Sequence, residues 1–174
     1  KGLLGEHGAL EVDVEGCTIE PLLWLDGRLV TWADVESRVS LADGDLPIPS
    51  VEWQVDRTLS LRITAFADGP AGRSRLVARY ALASTGATPR HLRLFLAVRP
   101  FQVNPSWQRL NLVGGVSPIQ DIVAEGATVR VNGARTIVAV SPPDGFGAAR
   151  TEIGLAAIER GVVPDATSVS DPVG

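Results

Sequence analysis

The stretch from Gln102 to Asn111 carries residue types that could hold a polar ligand. It combines one tryptophan with amide and guanidinium side chains: Gln102, Asn104, Trp107, Gln108, Arg109 and Asn111. Proteins bind sugars where an aromatic face meets the C–H side of the ring, while planar amides and guanidinium groups bind the hydroxyls. The composition of this loop therefore makes it a candidate for direct contact with a carbohydrate.

The apolar strand that precedes this loop predicts two different faces. Side chains alternate along a strand, so one face consists of Leu92, Leu94, Leu96 and Val98 and is predicted to lie in the core. The opposite face is half aromatic and half cationic, with His91, Arg93, Phe95, Arg99 and Phe101. Such a face suits a neighbouring domain or an elongated polar ligand. The predicted carbohydrate or interdomain surface consists of Arg93, Arg99, Phe101, Gln102, Asn104, Trp107, Gln108 and Asn111.

Two other interpretations of the loop stay open. Trp107 could close the edge of the fold while the amides bind backbone groups, because buried polar groups need partners. The loop could also form a contact with another domain or subunit. The remaining tryptophans, Trp24, Trp32 and Trp53, lie on predicted strands and are expected to serve the core or an interface.

Short segments of alternating apolar and polar residues recur along the whole chain. The clearest is a pair of apolar runs joined by Asp26-Gly27, a sequence that favours a two-residue hairpin turn. Asn132-Gly133 gives a second hairpin signal, and only residues 151 to 160 have helical spacing. The 18 glycines and 12 prolines supply the turns. This pattern predicts one all-β domain over residues 1 to 174, a large antiparallel β-sandwich.

The bulk composition excludes some classes of partner. The net charge is −4 and the basic residues are scattered, which argues against nucleic acid, since phosphate binding needs a basic face. No apolar run approaches the roughly 20 residues that cross a bilayer, so no membrane span is expected. Cys17 is the one cysteine and is expected to be a small buried apolar residue. The chain begins at Lys1 and contains no methionine, so we expect it to be a piece of a longer multidomain protein.

Motifs for metal, cofactor and catalysis are weak. The two histidines, His7 and His91, have no neighbour at ligand spacing. Asp43 and Asp45 could bind calcium, but Asp-Gly-Asp is also usual in turns. Gly114-Gly115 lacks the strand-to-helix context of a dinucleotide loop, and no Gly-x-Ser-x-Gly sequence is present. We therefore expect no metal and no cofactor, and none of the 20 acidic residues is distinguished as a catalytic pair.

Several segments together resemble one family of domains. These are Arg79 to Leu82, Pro89 to Pro105, Asn111 to Ile119 and Pro143 to Gly147. They resemble the galactose-mutarotase-like β-sandwich, or supersandwich, of large bacterial carbohydrate-active proteins, including those that also carry discoidin-type (coagulation factor 5/8) modules. In that family the sandwich precedes an (α/α) toroid, as in glycoside phosphorylases and glucoamylase-like hydrolases.

The resemblance implies a role beside a carbohydrate-processing site. The catalytic carboxylates of such multidomain enzymes lie in the toroid, so this chain by itself is expected to be non-catalytic and to pack against that helical domain. The parent protein would then be a glycoside hydrolase or phosphorylase. Two alternatives stay open, an independent carbohydrate-binding module and a mutarotase-like or hydrolytic enzyme. Neither His7 nor His91 matches the catalytic histidines of free-standing mutarotases, so no catalytic residue is assigned.

Overall fold

The computed structural model describes residues 2–13, 16–70, 72–103 and 115–171, and these form thirteen strands, one 3-10 helix and one α-helix. The predicted all-β class is confirmed. Contacts within the chain define two compact units, one of residues 1–26 and 30–117 and the other of residues 27–29 and 118–174. The assignment of one domain to residues 1–174 and the supersandwich topology remain predictions.

The first sheet is built around one long central strand. Strand β3 (Thr18–Leu25) pairs antiparallel with β9 (Leu92–Arg99) along its whole length, from Thr18 opposite Arg99 to Leu25 opposite Leu92. The remaining members are β1 (Gly2–Leu4), β2 (Leu10–Val12) and β4 (Arg28–Val30). Because β9 pairs only with β3 among the described strands, it forms an edge of this sheet.

The second sheet is a meander of four antiparallel strands in sequence order. It consists of β5 (Glu36–Ala42), β6 (Leu46–Gln54), β7 (Leu59–Asp68) and β8 (Arg75–Ser84). The alternation read from the sequence over residues 51–55, 59–65 and 76–82 therefore predicted its three longest strands. A register shift between Leu41 and Ala42 interrupts the outer strand β5.

The core lies where the apolar faces of these two sheets meet. Its fully buried members come from both sheets: Leu23, Leu25, Val30, Val51, Trp53, Leu59, Leu61 and Ile63. Leu92 and Leu94 pack against this cluster, as predicted. The prediction that Leu96 is buried is wrong, since its side chain is 45% exposed. Leu96 lies on the edge strand β9, where alternation sets the direction of a side chain but does not supply a neighbour to cover it.

Both predicted hairpin turns are confirmed. Strand β3 ends at Leu25 and β4 begins at Arg28, and the two residues between them, Asp26 and Gly27, have φ of 52° and 88°. Positive φ at both central positions is the requirement that Asp-Gly satisfies at low cost. Asn132 and Gly133 also have positive φ and connect β11 to β12.

The second unit has its own sheet and the α-helix. The sheet order is β12 (Arg135–Val138), β11 (Thr128–Val131), β10 (Asp121–Glu125) and β13 (Ser168–Ser170). Helix α1 (Thr151–Glu159) occupies the segment that helical spacing had predicted. No helix in the described part of the chain is long and apolar enough to cross a membrane.

Because the core lies between the two sheets, we expect shortening a buried apolar side chain to destabilise the fold much more than shortening an exposed one. Leu61 is fully buried, whereas Val39 on β5 is 60% exposed. We expect Leu61→Ala to lower the free energy of unfolding by about 2–5 kcal/mol, because it leaves a cavity in the core. The control Val39→Ala is expected to change it by no more than about 0.5 kcal/mol. Urea titration followed by tryptophan fluorescence measures both, and equal losses would contradict this description of the core.

Candidate functional site

One face of the first sheet carries a row of charged and polar side chains. Thr18 pairs with Glu11 on β2 and with Arg99 on β9, and directly opposite residues project to the same side of a sheet. Glu20 follows two residues after Thr18 on β3 and therefore shares this face. Glu11 and Thr18 are only 5% and 4% exposed. Around Glu11, Thr18 and Glu20, this face of the sheet is therefore polar and largely buried, on the side opposite the apolar core.

Arg99 is held by neighbours within the first unit. Its guanidinium forms an ion pair with the carboxylate of Glu20, and both side chains are mostly buried. The same guanidinium lies over the ring of Phe101, 4.7 Å from the ring centroid, in a cation–π contact. Arg99 was predicted to belong to a ligand or interdomain surface. The structure shows that Arg99 contacts two neighbours in its own unit, Glu20 and Phe101, and that Phe101 is 38% exposed.

A short two-stranded ribbon forms the base of the predicted loop. Phe101 pairs with Val116 in an antiparallel bridge. On either side of this bridge there is one backbone hydrogen bond. The backbone N–H of Gln102 donates to the Gly115 carbonyl at 2.9 Å, and the backbone N–H of Ser117 donates to the Pro100 carbonyl at 2.9 Å. The ribbon therefore fixes the positions where the loop leaves the sheet and returns.

Two buried groups flank the ribbon. The Glu11 carboxylate accepts a hydrogen bond from the Val103 amide N at 2.8 Å, which binds the ribbon to strand β2. Gln102 is only 9% exposed, and no donor among the described residues lies within hydrogen-bond distance of its Oε1. A buried acceptor without a donor is uncommon in native proteins.

The structure brings together only part of the predicted surface. Arg99, Phe101 and Gln102 lie at the end of β9 and in the ribbon, as expected from their adjacency. Arg93 is exposed near the start of β9, where it lies opposite Trp24 on β3. The other four predicted residues, Asn104, Trp107, Gln108 and Asn111, lie outside the described residues, and their roles remain predictions.

An exposed aromatic stack lies where the sequence predicted a strand. Trp32 begins the 3-10 helix Trp32–Asp34 and is 44% exposed, so its assignment to a strand is wrong. Its indole stacks on the His7 imidazole with ring centroids 4.5 Å apart and an angle of 16° between the planes. The sequence contains a signal for this helix, because Thr31 and Asp34 have the spacing of a capping box. No short-range sequence pattern predicts the contact between His7 and Trp32, because the two residues are distant in the sequence.

A second ionic cluster connects three turns of the first unit. Arg90, just before β9, forms ion pairs with Asp26 in the first hairpin and with Asp56 in the β6–β7 turn. Asp56 also accepts hydrogen bonds from the Thr58 amide N, the Thr58 hydroxyl and the Leu59 amide N, at 2.8–3.0 Å. The hydrogen bonds from Arg90 and then from Thr58 hold the pKa of Asp56 well below its ordinary value of 3.8. This cluster serves stability, since every carboxylate in it has a structural partner.

The second unit contains a small apolar cleft. It has a volume of about 360 Å³ and lies between the start of α1 and the segment leading to β13. Its lining includes Ala148, Ile153, Pro164 and Val169, with Arg150 at its border. The Arg150 guanidinium forms an ion pair with the Asp171 carboxylate at 3.4 Å.

Across the described ranges of the chain, no group of three or more His, Cys, Asp or Glu side chains lies close enough together to form a metal site.

Comparisons with known proteins found no matching family model, no related curated protein and no similar solved structure.

The lowered pKa of Asp56 predicts how stability depends on pH. A carboxyl whose folded pKa lies below its unfolded pKa stabilises the fold above the unfolded value, and this contribution is lost as the pH falls through the folded value. We expect Asp56→Asn to lower the free energy of unfolding by about 1 kcal/mol at neutral pH, since both partners are partly exposed. The difference from the unaltered protein should shrink as the pH falls below 3.8.

The matched control is Glu52→Gln. Glu52 pairs with Arg62 across neighbouring strands of the second sheet, and it caps no turn. We expect a loss of no more than about 0.5 kcal/mol for this exposed pair. Urea titrations over a series of pH values measure both variants. A difference for Asp56→Asn that grows on acidification would contradict the assignment of a low pKa.

Proposed function

We propose that this chain is a non-catalytic β-sandwich module of a bacterial glycoside-processing protein and that it packs against a catalytic helical toroid of the same protein. The observation that carries the proposal is the exposed pair of apolar side chains, Phe101 and Val116, at the base of the predicted loop. Phe101 is 38% exposed and Val116 is 65% exposed. The choice of a helical toroid as the partner rests on the resemblance of the surrounding segments to the galactose-mutarotase-like sandwich.

The geometry of this pair suits a protein contact. Residues that are directly opposite in an antiparallel bridge project to the same side, so Phe101 and Val116 form one continuous apolar surface. Large contiguous patches of exposed apolar surface are typical of places where proteins bind other proteins, and this pair would be part of such a patch. Aromatic residues and arginine are enriched at the centres of such contacts, and Arg99 lies directly over the Phe101 ring.

The pair is also held in a fixed position before any partner binds. The ion pair with Glu20 restrains Arg99, and the backbone hydrogen bonds of the ribbon restrain Phe101 and Val116. A side chain that is already ordered loses little conformational entropy on binding. A rigid apolar pair can therefore contribute more to the stability of a domain contact than the same residues in a mobile loop.

One observation favours the alternative of an independent carbohydrate-binding module. The Gln102 Oε1 is buried and has no donor among the described residues at the base of the predicted loop. In this alternative a sugar hydroxyl donates to that oxygen. In that case Trp107→Ala would abolish binding of glycans to the isolated chain, whereas the packing function does not require any such binding.

The packing function is tested by association of two separately expressed parts of the parent protein. The first part is this chain, and the second is the helical region that we expect in the same gene. We expect a complex in analytical ultracentrifugation, and we expect Phe101→Ala combined with Val116→Ser to weaken it by about tenfold or more, because the double variant removes the apolar surface.

The control is Phe66→Ala. Phe66 lies on β7 and is 40% exposed, so it matches Phe101 in residue type and exposure. This variant is expected to bind the helical region as the unaltered chain does. A parent gene without a helical toroid, or a complex that is insensitive to loss of Phe101 and Val116, would refute the proposal.

A further inference from the structure

We propose that the exposed part of the Trp32 indole is a binding platform for a pyranose ring of a neutral glycan. The His7 imidazole covers one face of the indole at a centroid distance of 4.5 Å, and the side chain is nevertheless 44% exposed. A large aromatic surface in water is unfavourable unless something covers it. This inference does not rest on the proposed packing function, because none of its residues belongs to the Phe101–Val116 pair.

Trp32 is held in place by the backbone of its own turn. The Asp34 carboxylate accepts from the Thr31 amide N at 2.8 Å and from the Thr31 hydroxyl at 2.9 Å. The Thr31 hydroxyl oxygen in turn accepts from the Ala33 amide N at 3.3 Å. This capping box satisfies the first amide groups of the 3-10 helix and fixes the direction in which the indole leaves the chain.

His7 is held from the other side by the core. Its carbonyl oxygen accepts a hydrogen bond at 3.1 Å from the indole Nε1 of Trp53, which is fully buried. The next residue, Gly8, has φ of 90°, and a Cβ at this position would lie 3.0 Å from Ile63 and 3.3 Å from Trp53 Nε1. Only glycine permits this close approach. The platform is therefore ordered without a ligand, which reduces the entropic cost of binding.

The residues around the stack favour a sugar over other planar ligands. A pyranose presents a flat C–H face to one aromatic ring and directs its hydroxyls outward in the plane. The Glu6 carboxylate lies 3.5 Å from His7 Nε2, and its side chain is 78% exposed, so it can accept hydrogen bonds from such hydroxyls. Cationic ligands are usually enclosed by several aromatic rings, whereas here the ring that stacks on the indole is a single imidazole.

The test uses the full chain and follows the indole N–H signals of its four tryptophans by NMR. The signal of Trp32 is identified by its loss in Trp32→Phe. The probes are maltohexaose, cellohexaose, laminarihexaose and xylohexaose at millimolar concentrations. We expect at least one of them to shift the Trp32 signal with saturation, and we expect Trp32→Ala to weaken that binding by about tenfold or more.

Three variants separate stacking from folding. Trp32→Phe keeps an aromatic face and should bind within a few-fold of the unaltered chain. His7→Ala keeps the indole but removes the ring behind it, so it should weaken binding less than Trp32→Ala does. Phe66→Ala removes an equally exposed ring elsewhere and should have no effect. Urea titration checks that each variant is folded.

Three outcomes would overturn the proposal. The first is the absence of a Trp32 shift with all four oligosaccharides. The second is unchanged affinity in a folded Trp32→Ala. The third is a shift produced by tetramethylammonium and by none of the sugars, which would assign the platform to a cation instead. Loss of association with a helical region in the Phe101–Val116 variant would leave this inference unaffected, so the two proposals fail separately.

Discussion

The hydrogen bond from Trp53 Nε1 to the His7 carbonyl is the constraint on which much of the first unit depends. Burying an indole at the centre of a sandwich is favourable only if its N–H finds an acceptor. Here the acceptor comes from the turn between β1 and β2, at 3.1 Å. That turn must approach the core closely, and this explains why the residue after His7 is a glycine with positive φ. The same requirement places the His7 imidazole against Trp32 at the surface.

Arginines at the two ends of β9 show how charge is used in this fold. Arg90 binds two aspartates before the strand begins, and Arg99 binds Glu20 where the strand ends. Each guanidinium thus connects parts of the chain that are distant in sequence. The arginines of the cationic face predicted from the sequence are therefore partly engaged in ion pairs within the chain. At the end of this face, the exposed side chain is Phe101, which lies against the Arg99 guanidinium.

Local pattern was sufficient to predict most of the strands, the hairpin turns and the α-helix, because alternation and turn residues act within a few positions. It did not predict the short strands β1 and β13, and it placed Trp32 on a strand instead of a 3-10 helix. It could not predict which positions on an apolar face are covered, and so it placed the edge residue Leu96 in the core. It also could not pair His7 with Trp32 or Glu20 with Arg99. The last two lie 79 residues apart, and only the antiparallel pairing of β3 with β9 brings them together.

Trp32 and Phe101 are organised in the same way but present different chemistry. Each is an exposed ring with one face occupied by another side chain of the chain, and each is fixed by backbone hydrogen bonds nearby. Trp32 has an imidazole behind it and a carboxylate at its side, and this combination suits a ligand with a flat apolar face and outward hydroxyls. Phe101 has a guanidinium above it and Val116 beside it, and this combination suits the apolar surface of another protein domain. The neighbours of a ring, rather than its exposure, therefore determine which class of partner it fits.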